Sequence, residues 1–440
     1  MRDSEGAPTH RGKPLTTRWS RLGVTAVCGA LAVLAAACSG SGTPAAGKHP
    51  PGHTTSGSTT ATLISITPSN GSTHVRPDRG VTVTAKDGKL RSVVVNVGHD
   101  PAAGTLSQGD TVWHSLWPLD TGRHYTVTAT AVGADGKTVT ATSTFRTLTP
   151  AQTFTAQTFE GYHQSYGVGM PIMINFSVPV THEAEVERAM QVTTSNPVTG
   201  AWYWDGNQVL VFRPMNYWPQ HTKVSFVGHF NGVEAAPGVY GTANLSQSFT
   251  IGNSLIVVAS TADHYMRVWY KNKLYARWPI STGRAGDDTS DGTYLTIEKH
   301  NPTLMSGPGY HNVPVNFAVR FTWSGDYIHS APWSVAQQGT VNVSHGCVNV
   351  APNNATTYYD MAVPGDPVTI IGSPVAGKWD DGWTEWFLTW KQLLRGSATH
   401  LAVQAGPSGS TFVNPSTLTS GPASGTLSNS RPRNFLAFAH

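Results

Sequence analysis

At 440 residues the chain is longer than one ordinary domain, which predicts two to four. Only 12% of residues are charged while Gly, Ser, Thr and Pro abound, a profile that argues against a helical, charge-rich fold and for Gly-punctuated β structure in an exported protein. Of the formal +4 charge, residues 1–37 supply most, with five Arg/Lys against two Asp/Glu; no basic stripe follows, and nucleic acid is excluded as a partner.

In chain order, Arg11, Lys13, Arg18 and Arg21 precede an apolar stretch from Leu22 to Ala37, the pattern of an export signal. At about 16 residues it is short of the roughly 20 that cross a bilayer. Leu34-Ala35-Ala36-Ala37-Cys38 resembles a bacterial lipobox, so residues 1–38 are expected to be a lipoprotein signal. Diacylated Cys38 would then hold the protein on the outer face of the cytoplasmic membrane; simple cleavage or retention as an anchor are the alternatives. Residues 39–61 form a Gly/Ser/Pro/Thr tether too poor in apolar residues to build a core.

Short alternating strands follow, among them Leu63-Ile64-Ser65-Ile66 and Tyr125-Thr126-Val127-Thr128, with turns at Asp87-Gly88 and Asp135-Gly136. Their spacing predicts a β-sandwich over 62–148 and a second over 152–252. Within the second, 182–190 reads as a short helix with Thr181 as its N-cap. A further β-rich domain is expected over 253–373. Over 374–400, Trp383, Trp386, Phe387, Trp390 and Leu394 fall at helical spacing and predict a helix packed on the preceding domain. The Ser/Gly/Pro/Thr-rich tail, 401–440, is expected to be disordered.

Chemistry concentrates at Ser344-His345-Gly346-Cys347-Val348-Asn349, with His329 eighteen residues before the cysteine. Cys28 and Cys38 belong to the export segment, so Cys347 is the lone thiol of the exported part. An extended segment would send His345 and Cys347 to the same side, and Gly346 would allow another chain to approach closely. A Cys–His pair supports acyl transfer, because the imidazole deprotonates the thiol and the thiolate attacks a carbonyl. A small buried hydrophobe, a structural histidine and a zinc site remain open readings of the same residues, although no fourth zinc ligand sits at standard spacing.

His329, fourteen intervening residues and then Ser-His-Gly-Cys-x-Asn resemble the signature of the L,D-transpeptidase family with a YkuD-type catalytic domain. Tyr327-Ile328-His329-Ser330-Ala331-Pro332-Trp333-Ser334 is similar to its actinobacterial and mycobacterial members. The resemblance implies a mainly β protein: two immunoglobulin-like sandwiches, a YkuD-type domain and a C-terminal helical subdomain. It implies Cys347 as nucleophile and His329 as base, with the Ser330 carbonyl orienting the imidazole. Backbone N–H groups of His345, Gly346 and Cys347 would form the oxyanion hole. Met305 and Tyr310 would belong to a lid, with Phe317 as a candidate second aromatic. Ser324, Gly325 and Asn349 would contact substrate, and Trp333 would border the pocket. The implied partners are peptidoglycan stem peptides, a tetrapeptide donor and a diamino-acid acceptor, with carbapenem β-lactams as inhibitors and no cofactor. Water resolving the same thioester would give an L,D-carboxypeptidase; attachment of protein to peptidoglycan, or a wall-binding module without activity, are the other readings.

Overall fold

The computed structural model describes residues 63–418 apart from His99, Tyr162 and Pro308; the export segment, Cys38, the tether and residues beyond 418 lie outside the described residues. The chain is mainly β. In the strand His124–Gly133, Tyr125, Val127, Ala129 and Ala131 alternate inward and are buried. That two-residue period is what a strand with one core face requires. Two antiparallel four-stranded sheets result, one centred on Thr82–Lys86 and Val112–Ser115, the other on Gly88–Val97 and His124–Gly133. Val83, Val95, Trp113 and Phe145 fill the space between them.

A second sandwich follows. Its larger sheet runs Ala156–Thr158, Ile172–Phe176, Val209–Pro214, Val198–Asp205, Ala402–Gly406, Gly409–Val413. The last two strands come from the tail expected to be disordered. They form a hairpin in which Val198, Thr199 and Gly200 pair antiparallel with Ala405, Gln404 and Val403. Ala402, Val403 and Ala405 are buried there, enough apolar surface to order a segment whose composition looks like a linker. The second sandwich is therefore completed by residues that follow the whole next domain.

The short helix of this sandwich spans Glu183–Arg188, and its N-cap is His182 with no side-chain cap. Thr181 does not cap it, because the Thr181 and His182 amides both bond the Ala235 carbonyl. Glu187 on this helix is fully buried. Its carboxylate accepts from Trp204 Nε1, Ser397 Oγ, the Ala398 and Thr399 amides and Thr399 Oγ1, at 2.7–3.0 Å.

The remaining domain is a nine-stranded sheet in the order Gly292–Leu295, Pro367–Ile371, Leu255–Ser260, Tyr265–Tyr270, Lys273–Ser281, Val348–Val350, Tyr327–Ser330, Ala318–Arg320, Glu298–His300. The helix Pro352–Met361 buries Ala355 and Tyr358 among its core residues. A hairpin, Thr303–Gly307 with Tyr310–Val315, stands apart from the sheet.

The aromatic stripe after residue 380 is not one helix. A 3₁₀ turn at Glu385–Phe387 ends in extended backbone at Leu388, and Thr389 with Gln392 forms a capping box that starts a separate helix, Trp390–Arg395. The stripe packs in two directions. Trp386 lies under the Arg213 guanidinium at 4.3 Å and donates to the Gly169 carbonyl at 2.7 Å, both in the second sandwich. Phe387 turns the other way and meets Tyr294 of the nine-stranded domain, ring centroids 5.1 Å apart.

Candidate active site

Two short parallel strands bring the histidine and cysteine motifs together. Ile328 pairs with Val348, His329 with Asn349 and Ser330 with Val350, so Cys347 stands one residue ahead of the first pair. The turn before it is bent rather than extended. Gly346 has φ +125°, a conformation that L side chains avoid, so the extended geometry that would send His345 and Cys347 to the same side is absent here. Ser344 Oγ ties the turn, donating to the Cys347 carbonyl at 2.5 Å and accepting the Gly346 amide at 3.3 Å. That amide, expected in the oxyanion hole, is thus already engaged. Thr289 Oγ1 holds the Gly346 carbonyl from the other side at 2.5 Å.

The protonation states follow from geometry. His329 is 4% exposed, and its Nδ1 lies 3.0 Å from the Ser330 carbonyl. A carbonyl only accepts, so Nδ1 carries the hydrogen, and in the neutral ring Nε2 keeps its lone pair. Burial pushes the imidazole down to about 4, so it is neutral at pH 7. Burial, then the charge of Asp326, push the Cys347 thiol up to about 12. The Tyr327 amide bonded to the sulfur favours thiolate, but is outweighed. In the resting site Sγ donates to the Gly325 carbonyl at 3.8 Å. At a pKa near 12 roughly one thiol in 10⁵ is ionised at pH 7, so attack must be coupled to proton removal by a neutral base.

The other expected residues scatter by role. Tyr310, on the lid-like hairpin, sets its ring 5.0 Å from that of exposed His345 at a tilt of 44°, and its hydroxyl is raised by burial and then by the charge of Cys347. Met305 sits on the facing strand of that hairpin, half-buried. Trp333 is exposed, its ring 6.0 Å from that of His329. Ser324 is exposed, and its amide and Oγ are both taken by Asp381 at 2.6 Å; Gly325 follows at φ +108°. Asn349 is 3% exposed and donates to Ser334 Oγ at 3.1 Å, a bond that braces its strand against the turn after His329. Phe317 packs on Tyr359 of the helix and is not part of the hairpin.

The family models match accordingly: a bacterial Ig domain over residues 72–234 and an L,D-transpeptidase catalytic domain (YkuD) over 254–370. The chain is 34% identical over 343 residues to L,D-transpeptidase 2 of Mycobacterium tuberculosis, covering 75% of this chain and 83% of that protein. The chain belongs to the L,D-transpeptidase family. L,D-transpeptidase 5 of the same organism is 32% identical, covering 82% of this chain and 81% of the relative. Among solved structures, an LD transpeptidase in complex with imipenem is 34% identical and matches with a TM-score of 0.42, covering 50% of this chain and all of the other.

Sequence reasoning missed three residues of this transpeptidase's site. Thr289, Asp326 and Asp381 come from separate loops, and only Asp326, next to Ser324-Gly325, lay near a motif. Asp326 Oδ1 sits 2.4 Å from where a β-carbon on Gly346 would stand. Gly346→Ala would therefore meet both a forbidden φ and a carboxylate oxygen that has to shift to admit it. It is expected to destabilise the L,D-transpeptidase fold by about 2 kcal/mol and slow labelling of Cys347 roughly 100-fold. Thermal melts and intact-protein mass spectrometry measure both; wild-type labelling in the alanine variant would show that the turn does not need glycine.

Proposed function

We propose that this family member forms 3→3 peptidoglycan cross-links through a thioester on Cys347. His329 Nε2 takes the thiol proton as sulfur attacks the carbonyl between the third stem residue and terminal D-alanine. The imidazolium protonates the leaving amine, and D-alanine departs. The side-chain amine of another stem's third residue then displaces the sulfur. The observation carrying this reading is the Nδ1–Ser330 bond on the strand beside Cys347, which leaves Nε2 as base for a thiol that cannot ionise unaided. A β-lactam offers the same nucleophile a strained amide, so carbapenems acylate Cys347. Cys38 carries the lipid anchor, and the tether and sandwiches act as a stalk that sets the site out from the cytoplasmic membrane toward the wall.

The test is mass spectrometry of the purified protein incubated with a disaccharide-tetrapeptide. D-alanine release, a thioester on the Cys347 peptide and a cross-linked dimer are expected. Release without dimer would assign L,D-carboxypeptidase activity instead, and no thioester would overturn the reading. The same spectra report a diacylglyceryl mass on Cys38.

A further inference from the structure

The second half of that reaction leaves a proton without a carrier. An amine reaches a neutral site as an ammonium and sheds two protons in becoming an amide nitrogen. His329 delivers one to the departing sulfur; the other needs a second base.

Asp326 stands where it is needed. Its Oδ1 lies 2.4 Å from where a β-carbon on Gly346, the residue just before the nucleophile, would stand, and its charge acts on both the Cys347 sulfur and the Tyr310 hydroxyl. The titratable groups facing it are Cys347, Tyr310, Tyr294 and Asp381, none of them cationic. Among the described residues no Lys, Arg or His forms an ion pair with it; its own partner is Thr322. A partly buried carboxylate without a cation is costly, and such sites mark function. The missing cation would arrive with the acceptor.

Resting on the acyl-transfer reading above, we propose that Asp326 binds the ammonium of the amine acceptor and takes its first proton. The carboxylate becomes a carboxylic acid and the ammonium a free amine. The amine nitrogen bonds the thioester carbon, the C–S bond breaks, and His329 passes the second proton to sulfur. Asp326 then returns its proton to water. Burial and Asp381 lift its pKa to about 6, close enough to neutrality for that cycle. Water carries no such charge, so Asp326 sets the balance between cross-linking and hydrolysis.

The full-length protein, incubated with disaccharide-tetrapeptide, yields dimer by aminolysis and tripeptide by hydrolysis, and their ratio is read by liquid chromatography–mass spectrometry. Because the ratio is taken per acyl-enzyme, loss of folded protein cancels. Asp326→Asn is expected to lower the dimer-to-tripeptide ratio at least tenfold, and Asp326→Glu to restore part of it. An unchanged ratio overturns the proposal, as does an equal fall in both variants, which would mean a steric role. A fall confined to His345→Gln would move the second base to that exposed imidazole and overturn it too. Absence of any thioester on wild-type Cys347 would instead remove the reaction itself.

Discussion

Cys347→Ala is expected to form no acyl adduct and to lose at least about 10⁴ of acyl-transfer rate, and His329→Asn to lose about 10³. Asparagine is the informative replacement, because its side-chain amide can still donate to the Ser330 carbonyl while offering no base. The two losses should not add: the double variant should match Cys347→Ala, since a base without a nucleophile does nothing. The pH profiles separate the roles. In the wild type His329 is neutral above about pH 4, so acylation should rise through that pH and stay level to neutrality. In His329→Asn the thiol, whose pKa is near 12, must ionise unaided, and the rate should climb about tenfold per pH unit through the neutral range. Iodoacetamide alkylation followed by mass gives the profile directly. A His329→Asn curve parallel to the wild type would mean the imidazole is not the base.

Glu187→Ala should have the largest effect on stability. It strips a buried carboxylate from five donors, leaving indole, hydroxyl and amide groups enclosed without acceptors. The cost is on the order of 3–5 kcal/mol. Glu187→Gln should fare better than alanine but below wild type, because half of its head group donates where only acceptors fit. Urea denaturation of the three proteins checks the order, and limited proteolysis should cut first near residues 397–401 in the alanine variant. An alanine variant as stable as the wild type would show that the segment is held by its hairpin alone.

Periodicity and one motif made much of this legible in the sequence. Alternating Val, Thr and Ala marked the strands of the first sandwich, because one core face demands that pattern. The His–Ser-His-Gly-Cys-x-Asn spacing marked the site, because parallel strands bring those segments side by side. What escaped depends on distant partners. Ala402-Val403-Gln404-Ala405 is too short and too weakly apolar to declare itself, and takes its order from partners such as the edge of Val198–Asp205. The tryptophans at helical spacing obeyed a stronger local signal, the Thr389–Gln392 capping box, and served two neighbours instead of one. Asp326 was one acid in a short loop; its meaning comes from two glycines at positive φ, Gly325 and Gly346, that let it approach the nucleophile's turn.

The returning hairpin also dictates an order of assembly. Gly200 and Val403 are neighbours in space but about two hundred residues apart in the chain, so their pairing is among the slowest to find. Chains emerge and fold from the N-terminus, so the first sandwich can settle while the rest is still being delivered. The second cannot complete its sheet until the whole transpeptidase domain and the hairpin have appeared. Begun second, it is finished last, and a chain cut short anywhere before residue 402 leaves a bare sheet edge where Val198–Asp205 should have been covered.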